Sequence, residues 1–462
     1  MKFSLRKRKA RSEAEREAGV VHATLDPGGP GVARLHLVPP RPSSRGKEPY
    51  LLLINGQYIL PVGPSWAALL RTFMEVLNER ARPGEEISEN EMTVILDDVV
   101  TRMKRLYPVS ANRLVDDLDE LMALILAVAH NQPVPEGLQA AMTLGEYAKH
   151  MTAPHRMDLI VSPMTVNGVW QCPLHCKNCY AAGQPGMMVE YELDTGGWKR
   201  VIDRCQEAGI PQLTFTGGEP TVRKDLVELI DYAQWHVTRL NTNGVILTPE
   251  LAKSLYEASL DGIQITLYSF ISEVHDKLVG KKGGWELAVE GIKNAVAAGL
   301  SVSINTPLVD ANADYFKTLK FIHDLGVRYA TCSGLIPTGA ASKQIEGNET
   351  LSNERLFAVL ELSLDTANRL GMEISFTSPG WLTSEQLKDL GLFNPICGAC
   401  LSNMAVMPNG AVAPCQSWLG NPEGLGNILS TPWEEIWNHS ECREIRENAA
   451  TSEYCPLGGK LR

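Results

Sequence analysis

Three cysteines lie in the run Cys172-Pro-Leu-His-Cys176-Lys-Asn-Cys179-Tyr180. The spacing, C-x3-C-x2-C, puts three thiolates on one short loop. Cysteine thiolates are the usual holders of iron–sulfur clusters, and a four-iron cube has four positions to fill. Three ligands leave one iron open, and an open position is where a metal site does chemistry instead of supporting a fold. A small molecule carrying an amine and a carboxylate could chelate that iron. The same thiols could instead close around zinc, or be buried without a ligand. Structural zinc usually draws two C-x2-C-type pairs and ends with four ligands. The next cysteine here, Cys205, falls on a predicted helix.

The second motif is Thr214-Phe215-Thr216-Gly217-Gly218-Glu219-Pro220, about forty residues further on. An apolar strand runs into two glycines and an acid. Glycine lets backbone approach a ligand closely, and a carboxylate can accept from an ammonium group. Alone, Gly-Gly-Glu reads as a tight turn. Together with the cysteine triplet it resembles the radical S-adenosylmethionine (SAM) superfamily. That resemblance implies that Cys172, Cys176 and Cys179 hold a [4Fe–4S] cluster. It implies that SAM chelates the open iron, with Gly217, Gly218 and Glu219 at its methionine end. A reductant such as ferredoxin or flavodoxin would then cleave SAM to a 5′-deoxyadenosyl radical that takes hydrogen from substrate.

Such a site needs a scaffold. Over 151–345, strand candidates at 158–161, 212–215, 238–241, 262–267, 301–306 and 329–332 alternate with amphipathic helices. Alternation of this kind predicts an α/β fold with parallel strands and helical crossovers. Six units match the partial (β/α)6 TIM-type barrel of the family. Chemistry in such barrels sits in the loops at the C-terminal ends of strands, where both motifs fall. From the same ends, resemblance adds Asn243, Thr266, Ser269 and Asn305 as SAM contacts. Thr266-Leu267-Tyr268-Ser269 departs from the Ser-Leu-Asp turn of many relatives, because the acid is missing. His275 and Asp276 begin a loop ending in Gly283-Gly284 and read as a helix approach and cap. Tyr180 is expected to pack beside the cluster.

A second cysteine group follows bridging helices expected over 346–395. Cys397-Gly-Ala-Cys400 precedes two apolar runs around Pro408-Asn409-Gly410, which read as a hairpin returning Cys415 to Cys400. Residues 396–462 resemble the opening of SPASM and twitch domains, but the family's later C-x2-C-x5-C-x3-C run is absent. The resemblance then implies one auxiliary iron–sulfur cluster held by Cys397, Cys400, Cys415 and Cys455. Cys442, on a predicted helix, reads as buried packing, with the fourth-ligand role as its alternative, and structural zinc is the alternative metal. Cys205 and Cys332 read as core thiols.

Residues 46–150 read as an α+β unit. Strands at 50–54 and 57–62 flank Asn55-Gly56, a hairpin signal. Ser65 is positioned to cap a helix through Trp66, Leu69, Leu70, Phe73 and Leu77. Ser88-x-x-Glu91 is a capping box opening a second helix, and a third spans 114–129. A hairpin followed by helices resembles the winged-helix-like PqqD module, in which a leader peptide adds a strand to the sheet edge. A small helical domain packed on the barrel is the plain alternative. Residues 1–45, rich in charge, Pro, Gly and Ser, are expected to hold little fixed structure.

Bulk properties bound the rest. The chain has 462 residues and a net charge of −11, which argues against a general grip on nucleic acid. No run approaches a membrane span. Ten cysteines without a secretory segment point to metal or thiol use in the cytoplasm. The whole reads as a radical SAM maturase of a ribosomally made precursor peptide. Outcomes open to it include crosslinking, excision, epimerisation and oxidation. An enzyme acting on a tetrapyrrole or another cofactor precursor is the first rival, and a non-catalytic peptide adaptor with structural metal the second.

Overall fold

The computed structural model describes residues 3–4, 21–25, 33–40, 49–54, 58–80, 86–129, 148, 151–347, 350–392, 395–452 and 454–458. The chain divides into two compact units. One comprises residues 1–155 with 205–212 and 234–237, and the other 156–204, 213–233 and 238–462.

In the first unit, strands β1 (Val21–Leu25), β2 (Ala33–Val38), β3 (Tyr50–Ile54) and β4 (Tyr58–Val62) form an antiparallel sheet in that order. Register is fixed by apolar pairs such as Leu37↔Leu52 and Leu52↔Leu60. Helices α1 (Pro64–Arg80), α2 (Glu89–Leu106) and α3 (Ala111–Ala129) follow. Their apolar stripes (Leu70, Phe73 and Leu77; Ile95 and Val99; Leu118 and Leu121) share one buried core with Leu35, Leu37 and Leu52 of the sheet. The capping box forms as expected, with Glu91 N donating to Ser88 Oγ and Ser88 N to Glu91 Oε2.

Two expectations need correction here, and one lies outside the described residues. Residues 1–45 include β1 and β2, whose side chains are almost all buried, so the sheet has twice the strands expected. Composition averaged over that stretch hid two short apolar runs. Helix α1 starts at Pro64, and Ala67 N donates to Gly63 O. Ser65 therefore lies inside the first turn instead of capping it, as Pro at the first helical position allows. The Asn55-Gly56 turn lies outside the described residues.

The second unit is built on a sheet of nine described strands. In chain order they are β5 (Arg156–Ser162), β6 (Gln212–Gly217), β7 (Val237–Thr242), β8 (Gly262–Thr266), β9 (Val302–Pro307), β10 (Tyr329–Ser333), β11 (Glu373–Phe376), β12 (Asn403–Val406) and β13 (Val412–Ala413). Their order across the sheet is β11-β10-β9-β8-β7-β6-β5-β12-β13. The described pairs from β7 to β11 are parallel, as is β12 on β5, while β13 returns antiparallel. Helices α4 (Thr195–Glu207), α5 (Leu226–Tyr232), α6 (Pro249–Glu257), α7 (Ser272–Val279), α8 (Gly284–Ala297) and α9 (Tyr315–Asp324) make the crossovers. The α/β barrel class and its six strand–helix units stand.

Two elements differ from expectation. Within 346–395, α10 (Asn353–Leu370) is followed by strand β11, a seventh parallel strand beside β10. Its four-residue run, half exposed, carries too little periodicity to announce a strand. His275 and Asp276 sit on helix α7, not in a loop. The Asp276 carboxylate accepts from the N–H groups of Gly283 and Trp285 at 2.6 and 2.8 Å, so it caps α8 from a neighbouring helix.

Candidate active site

Parallel strands buried on both faces usually read as continuous apolar runs. Here they alternate. Leu240, Ile263, Ile265, Ile304, Ala330 and Cys332 are buried. Their neighbours Arg239 and Asn241, Gln264 and Thr266, Asn305, and Thr331 and Ser333 line a cavity of about 550 Å³. Gln264 Nε2 donates to Thr331 Oγ1 at 3.2 Å, and Thr331 Oγ1 donates to Asn305 Oδ1 at 2.9 Å. The signal for this polar inner face was in the sequence, as polar residues two apart on successive strands.

The cysteine loop forms part of the wall. It is braced on two sides. His175 N and Lys177 N donate to Val279 O and Leu278 O at the end of α7. Gly280 follows at φ 67°, and a Cβ there would sit 2.5 Å from His175 O. From the other side, Ala340 N and Thr338 Oγ1 donate to Cys179 O and Tyr180 O, and a Cβ on Gly339 would meet Tyr180 O at 2.3 Å. Both glycines are required by close approach and positive φ.

Cys172, Cys176 and Cys179 all face the cavity. Burial pushes the Cys172 thiol up to about 12, and Glu219 and Cys179 add like charge, while Leu174 N–H and the Asn243 amide favour the thiolate. Asn243 Nδ2 lies 3.8 Å from Cys172 Sγ. Burial likewise raises Cys176 and Cys179, with the other loop cysteines adding like charge at Cys176. Backbone donors act on these thiols but no cation is among the causes of their shifts, so three thiolates on one loop need a metal to hold them charged. Among the described residues no three His, Cys, Asp or Glu side chains could hold a single metal ion. Three thiols facing one cavity are the donor set that suits a cluster with one iron left open.

Glu219 is 1% exposed and lines the same cavity. Its Oε1 accepts from Thr221 N, Thr221 Oγ1 and Thr242 Oγ1, and its Oε2 from Asn243 N at 2.8 Å. One lone pair on Oε2 remains for an ammonium group. Burial raises its pKa against these donors. The glycines before it cannot be replaced. A Cβ on Gly217, at φ 147°, would fall 2.2 Å from Ser162 O, and one on Gly218 2.9 Å from Pro163 O. Thr266 and Asn305 also line the cavity, but Ser269 does not. Ser269 is fully buried, and its Oγ accepts from Ile271 N to shape a turn. Tyr268, one residue earlier, lines the cavity instead, with its pKa raised by burial and then by the proximity of Cys176 and Cys179.

The C-terminal cysteines divide. The expected hairpin is β12 and β13, paired at Ala405↔Ala413 and Val406↔Val412. Cys397, Cys415 and Cys455 line the cavity. Cys415 is pushed up to about 12 by burial, with Cys397 and Cys455 adding like charge. Cys400 is not in that lining. It donates to Cys442 on helix α11 (Ser440–Thr451), whose thiol is lowered by that bond and by Arg446. Arg446 Nη1 lies 3.7 Å from Cys442 Sγ, and its guanidinium stacks on Trp437 at 3.8 Å. Cys442 is therefore in a polar pair, not in plain packing. Tyr180 also lines the cavity, hydrogen-bonded to Thr216 and close to both Cys179 and Cys415. Cys205 and Cys332 are core thiols at 0% exposure.

Residues 170–322 match the Radical SAM superfamily, and residues 397–457 match SPASM, an iron–sulfur cluster-binding domain. The AdoMet-dependent heme synthase of Oleidesulfovibrio alaskensis is 31% identical over 58% of this chain and 72% of its own length. Mycofactocin maturase MftC of Mycolicibacterium smegmatis is 30% identical over 60% of this chain and 70% of its own. Streptococcus suis SuiB bound to its precursor peptide SuiA shares the fold at TM-score 0.57 and 13% identity, over 86% of this chain and 87% of that one. Coverage of that extent reaches beyond residues 151–462 into the first unit.

Proposed function

Since this chain belongs to the radical SAM superfamily and is an enzyme that uses SAM and iron–sulfur clusters, we propose that it matures a ribosomally made precursor peptide. The observation that carries the reading is the first unit, a four-stranded antiparallel sheet ending in edge strand β4 with α1 directly after it. A leader peptide would add a strand there. When bound, the cluster and SAM supply one-electron chemistry that removes a hydrogen atom from substrate.

This chain's own residues do the rest. Cys172, Cys176 and Cys179 would hold the first cluster, and the Asn243 amide would steady the Cys172 sulfur. Gly217 and Gly218 would let SAM lie against backbone, and Glu219 Oε2 would accept from its ammonium group. Thr266 and Asn305 would contact its remaining polar groups. Cys397, Cys400, Cys415 and Cys455 would hold one auxiliary cluster. The core peptide would enter the polar cavity between the two cysteine groups, within the second unit.

The rival substrate, a tetrapyrrole, is favoured by the heme synthase relative at nearly the same identity. The full chain, reconstituted anaerobically with iron and sulfide and reduced with SAM present, separates the two. It is offered candidate precursors encoded beside its gene, or iron coproporphyrin III. A mass change in a peptide, with matching 5′-deoxyadenosine, is expected. Turnover of the porphyrin with unchanged peptides would refute the peptide reading.

A further inference from the structure

Nearly buried Arg223 and half-buried Arg156 of the second unit are both paired with acids, and Arg239 is half-buried as well. Arg223 donates to Asp225, Val161 O, Leu193 O and Glu192. Arg156 pairs with buried Asp158 at 2.9 Å. Arg239 is the exception. Its guanidinium makes no hydrogen bond or ion pair among the described residues, although it lines the cavity. Asp261 attracts it at longer range, but that carboxylate already accepts from Thr238 N and Thr238 Oγ1. Arg156 repels it. A desolvated charge without a partner is costly, and a guanidinium fork matches a carboxylate two bonds at a time.

Position separates this group from the SAM motifs. Arg239 is the third residue of β7, four residues before Asn243, which puts it roughly 13 Å lower along the strand at about 3.3 Å per residue. Its partner on β8 is Gly262. A Cβ at Gly262 would meet nothing nearer than Ser301 O at 3.8 Å, so a missing side chain leaves room beside the guanidinium. Asn241 and Gln264, the next layer up, are amides that can orient an anion without opposing it.

We propose that Arg239, low in the barrel cavity, binds a free carboxylate of the substrate. The cavity would thereby select a carboxylate-bearing group, such as a peptide C-terminus, over an uncharged internal stretch. The inference rests on the second unit taking substrate into this cavity. It does not depend on which substrate class supplies the carboxylate.

The test uses the reconstituted full chain and its Arg239→Gln and Arg239→Lys variants, each checked for unchanged iron content. Equilibrium binding is measured for two probe pairs. One is N-acetyl-glycyl-phenylalanine and its C-terminal amide, and the other is iron coproporphyrin III and its tetramethyl ester. The acid peptide is expected to bind at least tenfold tighter than the amide. Arg239→Gln should abolish that preference, and Arg239→Lys should keep part of it by retaining charge. An Arg239-dependent preference seen with the porphyrin pair alone would uphold the carboxylate site and overturn the peptide reading. Equal binding of acid and neutral forms, a preference that survives in Arg239→Gln, or no Arg239-dependent binding of either pair would overturn the carboxylate site.

Discussion

The C-terminal cysteines illustrate how side chains of one type part company by environment. Cys397, Cys415 and Cys455 face the cavity and disfavour one another's charge, as expected where a cluster must neutralise them. Cys442 has a different neighbourhood, with a thiol donor in Cys400 and a cation in Arg446. Both lower its pKa, and it stands apart from the cavity that Cys397, Cys415 and Cys455 line. Cys400, raised by its bond to Cys442, must give up its proton before it can ligate. Cys455→Ser is therefore expected to lower iron per chain to what the loop of Cys172, Cys176 and Cys179 holds alone. Cys442→Ser should leave iron content unchanged. Iron analysis after anaerobic reconstitution decides between them, and the reverse pattern would make Cys442 the ligand.

Strand β4 is the element on which leader capture depends, and its register says which backbone groups are free. Pro61 pairs with Leu51. Proline has no N–H, so that pair belongs to the set without mutual hydrogen bonds, as does the Ile59↔Leu53 pair two residues away. The backbone groups of Ile59 and the carbonyl of Pro61 therefore point to the outer edge. An arriving strand has one full donor–acceptor residue to meet, at Ile59. Ile59→Pro deletes that donor while sparing every bond to β3. One hydrogen bond is worth about 1 kcal/mol, so leader affinity is expected to fall by roughly tenfold at most. Titration of a labelled precursor into the full chain measures it, with an unchanged melting temperature as control. Undiminished affinity would place capture elsewhere. The same register shows that a fragment starting at residue 46 would lack β1 and β2, and with them half the described sheet.

At the scale of the molecule, the site's ends were legible and its depths were not. The triplet at Cys172 and Gly217-Gly218-Glu219 are local patterns whose residue types admit few other uses. Ser269 shows the limit, since a turn residue and a ligand residue look alike in sequence, and here Ile271 N bonds to its Oγ. Arg239 carries no signal in the sequence, because an isolated arginine in a strand means nothing until its register with Gly262 and the polar face around it are known. Burial of histidine is similarly invisible in sequence, and it sets the molecule's response to acid. Burial lowers His155 and His275 to about 4, with Asp276 opposing slightly at His275, and drives His36 well down by burial and then by the nearby His22. In the unfolded chain each titrates near 6.5. Between those values the unfolded chain takes up protons that the folded chain refuses, so stability is full above about pH 6.5 and falls as pH drops toward 4. Each histidine contributes up to about 1.4 kcal/mol per pH unit in that window. Asp158 and Glu219, both raised by burial, act in the opposite sense, so the informative quantity is the difference between variants. Denaturant midpoints of His155→Gln and His275→Gln, taken at pH 7 and pH 5.5, are expected to show a shallower loss than the parent chain. Slopes identical to the parent would mean that these rings are already charged, or solvated, in the folded protein.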